Sequence, residues 1–361
     1  MTGQGLGLVT LGNIFPAYGS LKATCIDRGS GQNALVLVRL LGGNDGLNTV
    51  VPFTDDLYYR LRPTLAIDEN QIHKLNDTHG LHPACLGLQR LFLEGNLAII
   101  QNVGYTQTNR SHFGSSEIWE TGGSTEHPLI TGWLGRYLDA TGTSDSLNHD
   151  PAALYFSQQK PLSLSTVGNH RVCQFGQATL TLNLTNRRLA SETNSYRTSV
   201  NYPNTRLGHS LRNIASMIAS EIGTRIYHVT LSGFDTHSHQ ANPHHNLLKT
   251  LSDGLVAFQR DLQAKRQAHR VLTMTYSEFG RQAAENEMRG TDHGAAAPMF
   301  ILGAKTNGGV HGSTSILSSD KSSHMAHGFD HRQVYATITE KWLGQRPPMA
   351  KYAPMPLLDF I

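Results

Sequence analysis

The chain has 361 residues, 39% of them hydrophobic and 16% charged, which leaves room for a large core and excludes bulk disorder. Thirty Lys and Arg stand against 27 Asp and Glu with no basic block, so nothing marks a nucleic-acid partner. No apolar run approaches the 18 or so residues of a membrane span.

Taken in chain order, the first segment is a tail, residues 1–30. Its stretch Gly3–Gly19 is uncharged and rich in Gly, and it reads either as the apolar remnant of an export signal or as a tail lying on the edge of the fold. Residues 31–361 read as a single α/β domain. Five short apolar runs predict strands at Ala34–Leu41, Leu97–Val103, Arg225–Leu231, Val271–Tyr276 and Pro298–Leu302, with the near-continuous hydrophobicity of strands buried on both faces. Helical spacing joins Leu211, Ile214, Ile218 and Ile222; Leu247, Leu251, Leu255, Phe258 and Leu262; and Val334, Ile338 and Trp342. Strands alternating with such helices predict a doubly wound, mostly parallel sheet covered on both faces. The Ser-, Thr- and Asn-rich stretches around residues 141–207 lack this periodicity and read as cap or insert segments. Cys25, Cys85 and Cys173 lack metal-ligand spacing and allow at most one disulfide.

Polar residues gather where the strands end. Asp45 follows the first strand in a Gly-lined turn, and Arg110-Ser111-His112-Phe113 follows the second at a helix start. Asp235, His237 and His239 follow the third, Glu278 and Arg281 follow the fourth, and Asp292-His293 precede the fifth. Ligands of open parallel sheets bind outside the carboxyl ends of the strands. Carboxylates and imidazoles meeting there repel one another unless a cation neutralises them. Such a mixed set suits Zn²⁺, or Mn²⁺, better than an all-oxygen Ca²⁺ site. An extended chain puts Asp235, His237 and His239 on one side, whereas a helical turn pairs Asp235 with His239, so the choice of histidine stays open. Taken singly, Ser111 reads as a helix cap, the Asn44-Asp45-Gly46 stretch as a turn and Glu278–Arg281 as an ion-pair turn; only the set points to a metal. The remaining loop histidines, His79, His82, His244, His245, His324, His327 and His331, read mostly as solvated.

The motifs LLGGNDGLNTVVPF (Leu40–Phe53), RSHF with a downstream WETG (Arg110–Phe113, Trp119–Gly122), GFDTH (Gly233–His237), SEFGR (Ser277–Arg281) and GTDHGAAAPMFILG (Gly290–Gly303) resemble the DUF1501 family. That family is similar to a branch of the alkaline phosphatase and sulfatase-like superfamily. The resemblance implies a three-layer α/β/α sandwich with a metal site at the C-terminal strand ends. It implies a cation held by Asp235, by His237 or His239, and by His293, with Ser111 as nucleophile and Arg110 or Arg281 on the substrate's oxyanion. At the strand end where the superfamily has Asp-His, this chain has Glu278-Phe279. A second site would then keep only Asp45, Glu278 and Ser111, an all-oxygen remnant that would prefer Mg²⁺ or Ca²⁺, be weak, or be empty. In the other mapping Asp292-His293 is the displaced pair and His311 or His327 takes the last position. The implied activity is metal-dependent hydrolysis or transfer of a small-molecule phosphate or sulfate ester. The alternatives are metal-activated water with Ser111 as a cap only, and a non-catalytic binding or scaffold protein that keeps the fold and at most one cation.

Overall fold

The computed structural model describes residues 32–106, 108–141, 150–175, 183–312, 317, 325–345 and 355–361, with residues 183–188 described in backbone only. The N-terminal tail, Cys25, His324 and much of the Ser- and Thr-rich stretch at 142–149 lie outside the described residues.

The main elements in chain order are β1 (Ala34–Leu41), α1 (Leu86–Leu93), β2 (Leu97–Gly104), α2 (His112–Thr121), α3 (Trp133–Thr141), β3 (Ala153–Tyr155), β4 (Val172–Gln174), α4 (Asn183–Ser195), α5 (Arg206–Ala219), β5 (Ile226–Ser232), α6 (Ala241–Ala264), β6 (Val271–Tyr276), β7 (Ala297–Leu302), β8 (Gly309–His311), β9 (Phe329–Asp330) and α7 (His331–Thr337). The strands form one sheet in the order β8-β2-β7-β6-β1-β5-β3-β4, with β9 also paired to β2. Alternation sends Val36, Val38 and Leu40 to one face, where α1, α5 and α6 cover them, and Leu35 and Leu37 to the other, under α2, α3 and α7. This is a three-layer α/β/α sandwich, as expected.

The five predicted strands are present within a residue at either end. The non-periodic stretch near residue 172 adds something the pattern did not show: Val172–Gln174 pairs in parallel with Ala153–Tyr155 and extends the main sheet. Three residues are too few to carry a readable alternation.

One strand runs against the rest. β7 is antiparallel to both β6 and β2, while β1 is parallel to β5 and β6. Residues that precede β7 therefore lie at the same edge as residues that follow its neighbours. That reversal carries His293 to the edge reached by Asp235 and Glu278.

A smaller three-stranded sheet, Val50–Val51, Gly80–Leu81 and His73–Lys74, packs beside this edge. It is tied in by a buried ion pair. Arg62 is fully buried and donates to both carboxylate oxygens of Asp45, at 2.6 and 3.0 Å, to Asn48 Oδ1 at 2.8 Å, and to the carbonyls of Gln282 and Ala283. Burial pushes the Asp45 carboxyl pKa up, but the Arg62 charge and its hydrogen bonds outweigh this and lower it. Removing one member of a buried pair strands the other charge, at a cost of about 3–5 kcal/mol. Asp45→Asn is expected to lower unfolding free energy by about that amount in denaturant titration. Because the folded-state pKa is depressed, the pair's contribution is fully present above the unfolded carboxylate pKa. It is lost as pH falls through the folded value, so the wild-type and Asn variants should converge in stability in acid.

Candidate functional site

At the carboxyl edge the chain leaves β1 through Gly42 and Gly43, both with positive φ (122° and 85°). A Cβ on Gly42 would lie 2.4 Å from the Asp235 backbone N, and one on Gly43 would lie 2.3 Å from the Phe279 ring. Only glycine allows both the left-handed backbone and these approaches. The two turns bring three loops into contact.

Asp235 and His237 lie in the loop after β5, where the Thr236 N–H turns back to the Phe234 carbonyl at 2.9 Å. At His239 a φ of 48° turns the backbone again before α6 begins. The structure thus brings His237, and not His239, to Asp235. The connection from β6 to β7 folds back on itself through an antiparallel bridge between Arg281 and His293, which delivers His293.

The geometry is a triangle. His237 Nε2 lies 3.0 Å from Asp235 Oδ1, His293 Nε2 lies 3.1 Å from the same oxygen, and the two Nε2 atoms are 2.9 Å apart. On the other carboxylate oxygen, His112 Nε2 approaches Asp235 Oδ2 to 3.4 Å. The opposite ring nitrogens identify the tautomers. His293 Nδ1 is 2.7 Å from the Arg110 carbonyl, His237 Nδ1 is 3.1 Å from Asp292 Oδ1, and His112 Nδ1 is 3.1 Å from Glu278 Oε1. Each partner is a pure acceptor, so each Nδ1 carries the proton and donates. Every neutral ring then turns an Nε2 lone pair toward the Asp235 carboxylate. Acceptors face acceptors at hydrogen-bond distance, an arrangement that a shared positive charge resolves.

The set fits an ion. A triangle of that size has corners about 1.7 Å from its centre, inside the roughly 2.0–2.2 Å bonds of Zn²⁺ to nitrogen and oxygen, so one ion reaches all three donors. Histidines that hold metals commonly donate their other N–H to a carboxylate or backbone carbonyl, as these do. Partial burial raises the Asp235 pKa, yet the hydrogen bond and charge of the Arg281 guanidinium outweigh it and hold it at about 2. Asp235 is therefore an anion at any ordinary pH.

Several expected roles are corrected. Arg281, expected to clamp a substrate oxyanion, is fully buried. It donates to the carbonyls of Gly43 at 2.8 Å, Thr291 at 2.7 Å, Phe234 at 2.9 Å and Gly42, and to Asp235 Oδ1 at 2.7 Å. It holds the loops and aims Asp235. Asp45, expected as a ligand, faces the Arg62 guanidinium and Gln240 instead. Glu278 is fully buried and accepts from His112 and from the Gly42 N–H at 2.9 Å. With both carboxylates engaged in this way, the all-oxygen second site does not assemble among the described residues. Asp292 orients His237 rather than joining the triangle, and its pKa is lowered because hydrogen bonds from Asn286 and His237 outweigh its partial burial.

Ser111 is exposed and caps α2 by position, though its hydroxyl makes no cap hydrogen bond. The residue that sequence reading passed over is His112, beside it. Its signal is the same as that of the others, an imidazole just past a strand end. Phe279 is buried against the rings of His112 and His293, with centroids at 4.9 and 4.3 Å, and forms an apolar floor. The expectation that the other histidines are mostly solvated also fails for His79, His82, His244 and His331, all buried. Burial brings the His244 pKa down to about 4, and its ring meets Asn44 Oδ1 at 3.0 Å.

Gly42→Ala forces a side chain against the Asp235 backbone. It should cost more than about 1 kcal/mol of stability, read as a lowered denaturation midpoint.

No curated protein matches the sequence. Among solved structures the chain is similar to the C-terminal periplasmic domain of EptC from Escherichia coli in complex with Zn, at 11% identity over 90% of this chain and 89% of that one, TM-score 0.41. It is also similar to a protein in the alkaline phosphatase superfamily from Vibrio parahaemolyticus, at 10% identity over 86% and 66% of the two chains, TM-score 0.41. A 2-O GAG sulfatase gives 7% identity over 88% and 76%, TM-score 0.41. The DUF1501 family model, described as a protein of unknown function, matches residues 186–346, which contain Asp235, His237, Glu278, Arg281 and His293.

Proposed function

We propose that the protein is a metal-dependent hydrolase or transferase acting on small phosphate or sulfate esters. The observation that carries this reading is the triangle of lone pairs formed by Asp235, His237 and His293, each imidazole backed by an acceptor on its far nitrogen. Two nitrogens and an oxygen favour Zn²⁺, with Mn²⁺ next and Mg²⁺ or Ca²⁺ least suited. A bound ion would polarise an ester oxygen and lower the pKa of an oxygen nucleophile.

The chain's own residues supply the rest. Ser111 stands at the start of the ten-residue helix α2, where unpaired backbone N–H groups favour an anionic group. Its hydroxyl is the nucleophile in this reading. Arg110, adjacent and exposed, is the guanidinium that meets the ester's oxygens in this reading, while Arg281 serves backbone carbonyls. Asp235 is positioned by Arg281, and Phe279 excludes water from beneath the imidazoles. The uncharged stretch Gly3–Gly19 supports an exported location for this chemistry.

Purified protein should contain close to one equivalent of a transition metal by elemental analysis. It should hydrolyse an aryl phosphate, an aryl sulfate or a phosphodiester, with loss on chelation and recovery on adding Zn²⁺ or Mn²⁺. Asp235→Asn and His237→Ala should lose both metal and turnover. Ser111→Ala should keep its metal and lose turnover by roughly a thousandfold or more. Metal without turnover on any of these esters would leave a scaffold that retains one ion. Full turnover in Ser111→Ala would remove the serine and leave metal-activated water as the nucleophile.

A further inference from the structure

We propose that His112 is a fourth donor to the same ion, with buried Glu278 as its anchor rather than as a ligand. This rests on the reading above that an ion occupies the Asp235 triangle, and it adds a ligand from a different segment of the chain.

Three observations carry it. First, donor atoms of His112, Asp235 and His293 all lie within 4.8 Å of one another, close enough to share an ion. Second, the His112 ring is fixed rather than free. It is the first residue of α2, its Nδ1 meets Glu278 Oε1 at 3.1 Å, and its ring lies 4.9 Å from that of Phe279, tilted by 46°, with the His293 ring edge-on at 4.7 Å. Third, Glu278 is aimed from behind. Its Oε1 also accepts from the Gly42 N–H, its Oε2 has no hydrogen-bond partner, and the Arg39 guanidinium stands 3.9 Å away. A fully buried carboxylate in that position keeps the proton on Nδ1 and presents Nε2 to Asp235. The arrangement repeats what Asp292 does for His237 and the Arg110 carbonyl does for His293.

Four donors from three segments, three nitrogens and one oxygen, select a nitrogen-preferring ion such as Zn²⁺ or Co²⁺ over Mg²⁺ or Ca²⁺.

The test compares the wild type with His112→Ala, Glu278→Gln and His239→Ala. Each is titrated with Zn²⁺ against a chromophoric chelator and with Co²⁺ by visible absorbance, and folding is checked by circular dichroism. His112→Ala, a partly exposed position, should weaken Zn²⁺ binding by about 10–100-fold or more and change the Co²⁺ spectrum. Glu278→Gln should weaken it by roughly 10–100-fold, while exposed His239→Ala leaves affinity and spectrum unchanged. Wild-type affinity together with a wild-type Co²⁺ spectrum in His112→Ala overturns this proposal and leaves the three-donor reading standing. A wild-type protein that takes up neither ion overturns the functional reading itself, and this one with it.

Discussion

One buried guanidinium organises the functional edge. Arg281 has no contact with solvent, and its donors go to four backbone carbonyls from three separate loops and to a single carboxylate. Carbonyls compensate its charge only in part, and Asp235 supplies the remainder. The loops after β1 and β5 and the one leading to β7 are therefore held to a common centre by a single side chain. Arginine suits this because its planar fork can serve several acceptors at fixed angles, which an ammonium cannot.

The reversed strand is the second constraint. Had β7 run parallel to its neighbours, His293 would sit at the opposite end of the sheet from Asp235. Because it runs antiparallel, a residue before a strand joins residues after strands, and the Arg281–His293 bridge closes the connection. Fold and site are linked here by direction alone.

Much of the architecture was legible in the sequence because both-face burial leaves a strong mark. β1 and β6 were bounded at their observed ends, and the long amphipathic α6 announced itself through Leu247, Leu251, Leu255, Phe258 and Leu262. The short edge strand Val172–Gln174 was not legible, since three residues carry no period. At the site, the Asp235-x-His237 spacing and the isolated His293 were readable, but the partition of roles was not. Asp45, Glu278 and Arg281 sit in motifs as suggestive as any, yet what each one faces depends on Arg62, His112 and the Gly42–Gly43 carbonyls. None of those partners is near in sequence except Arg62 to Asp45 and the glycines to Asp45. A chain position shows that a charge is present. Only packing shows which charge answers it.

The Asp45–Arg62 pair has a consequence of its own. In a cluster of acids that might have been balanced wholly by imported ions, part of the counter-charge is covalently built in. Arg62 is put there by translation, is never scavenged from a scarce supply, and stays when a sequestering agent removes whatever else is bound. The fold on this side of the molecule therefore carries its own counter-charge.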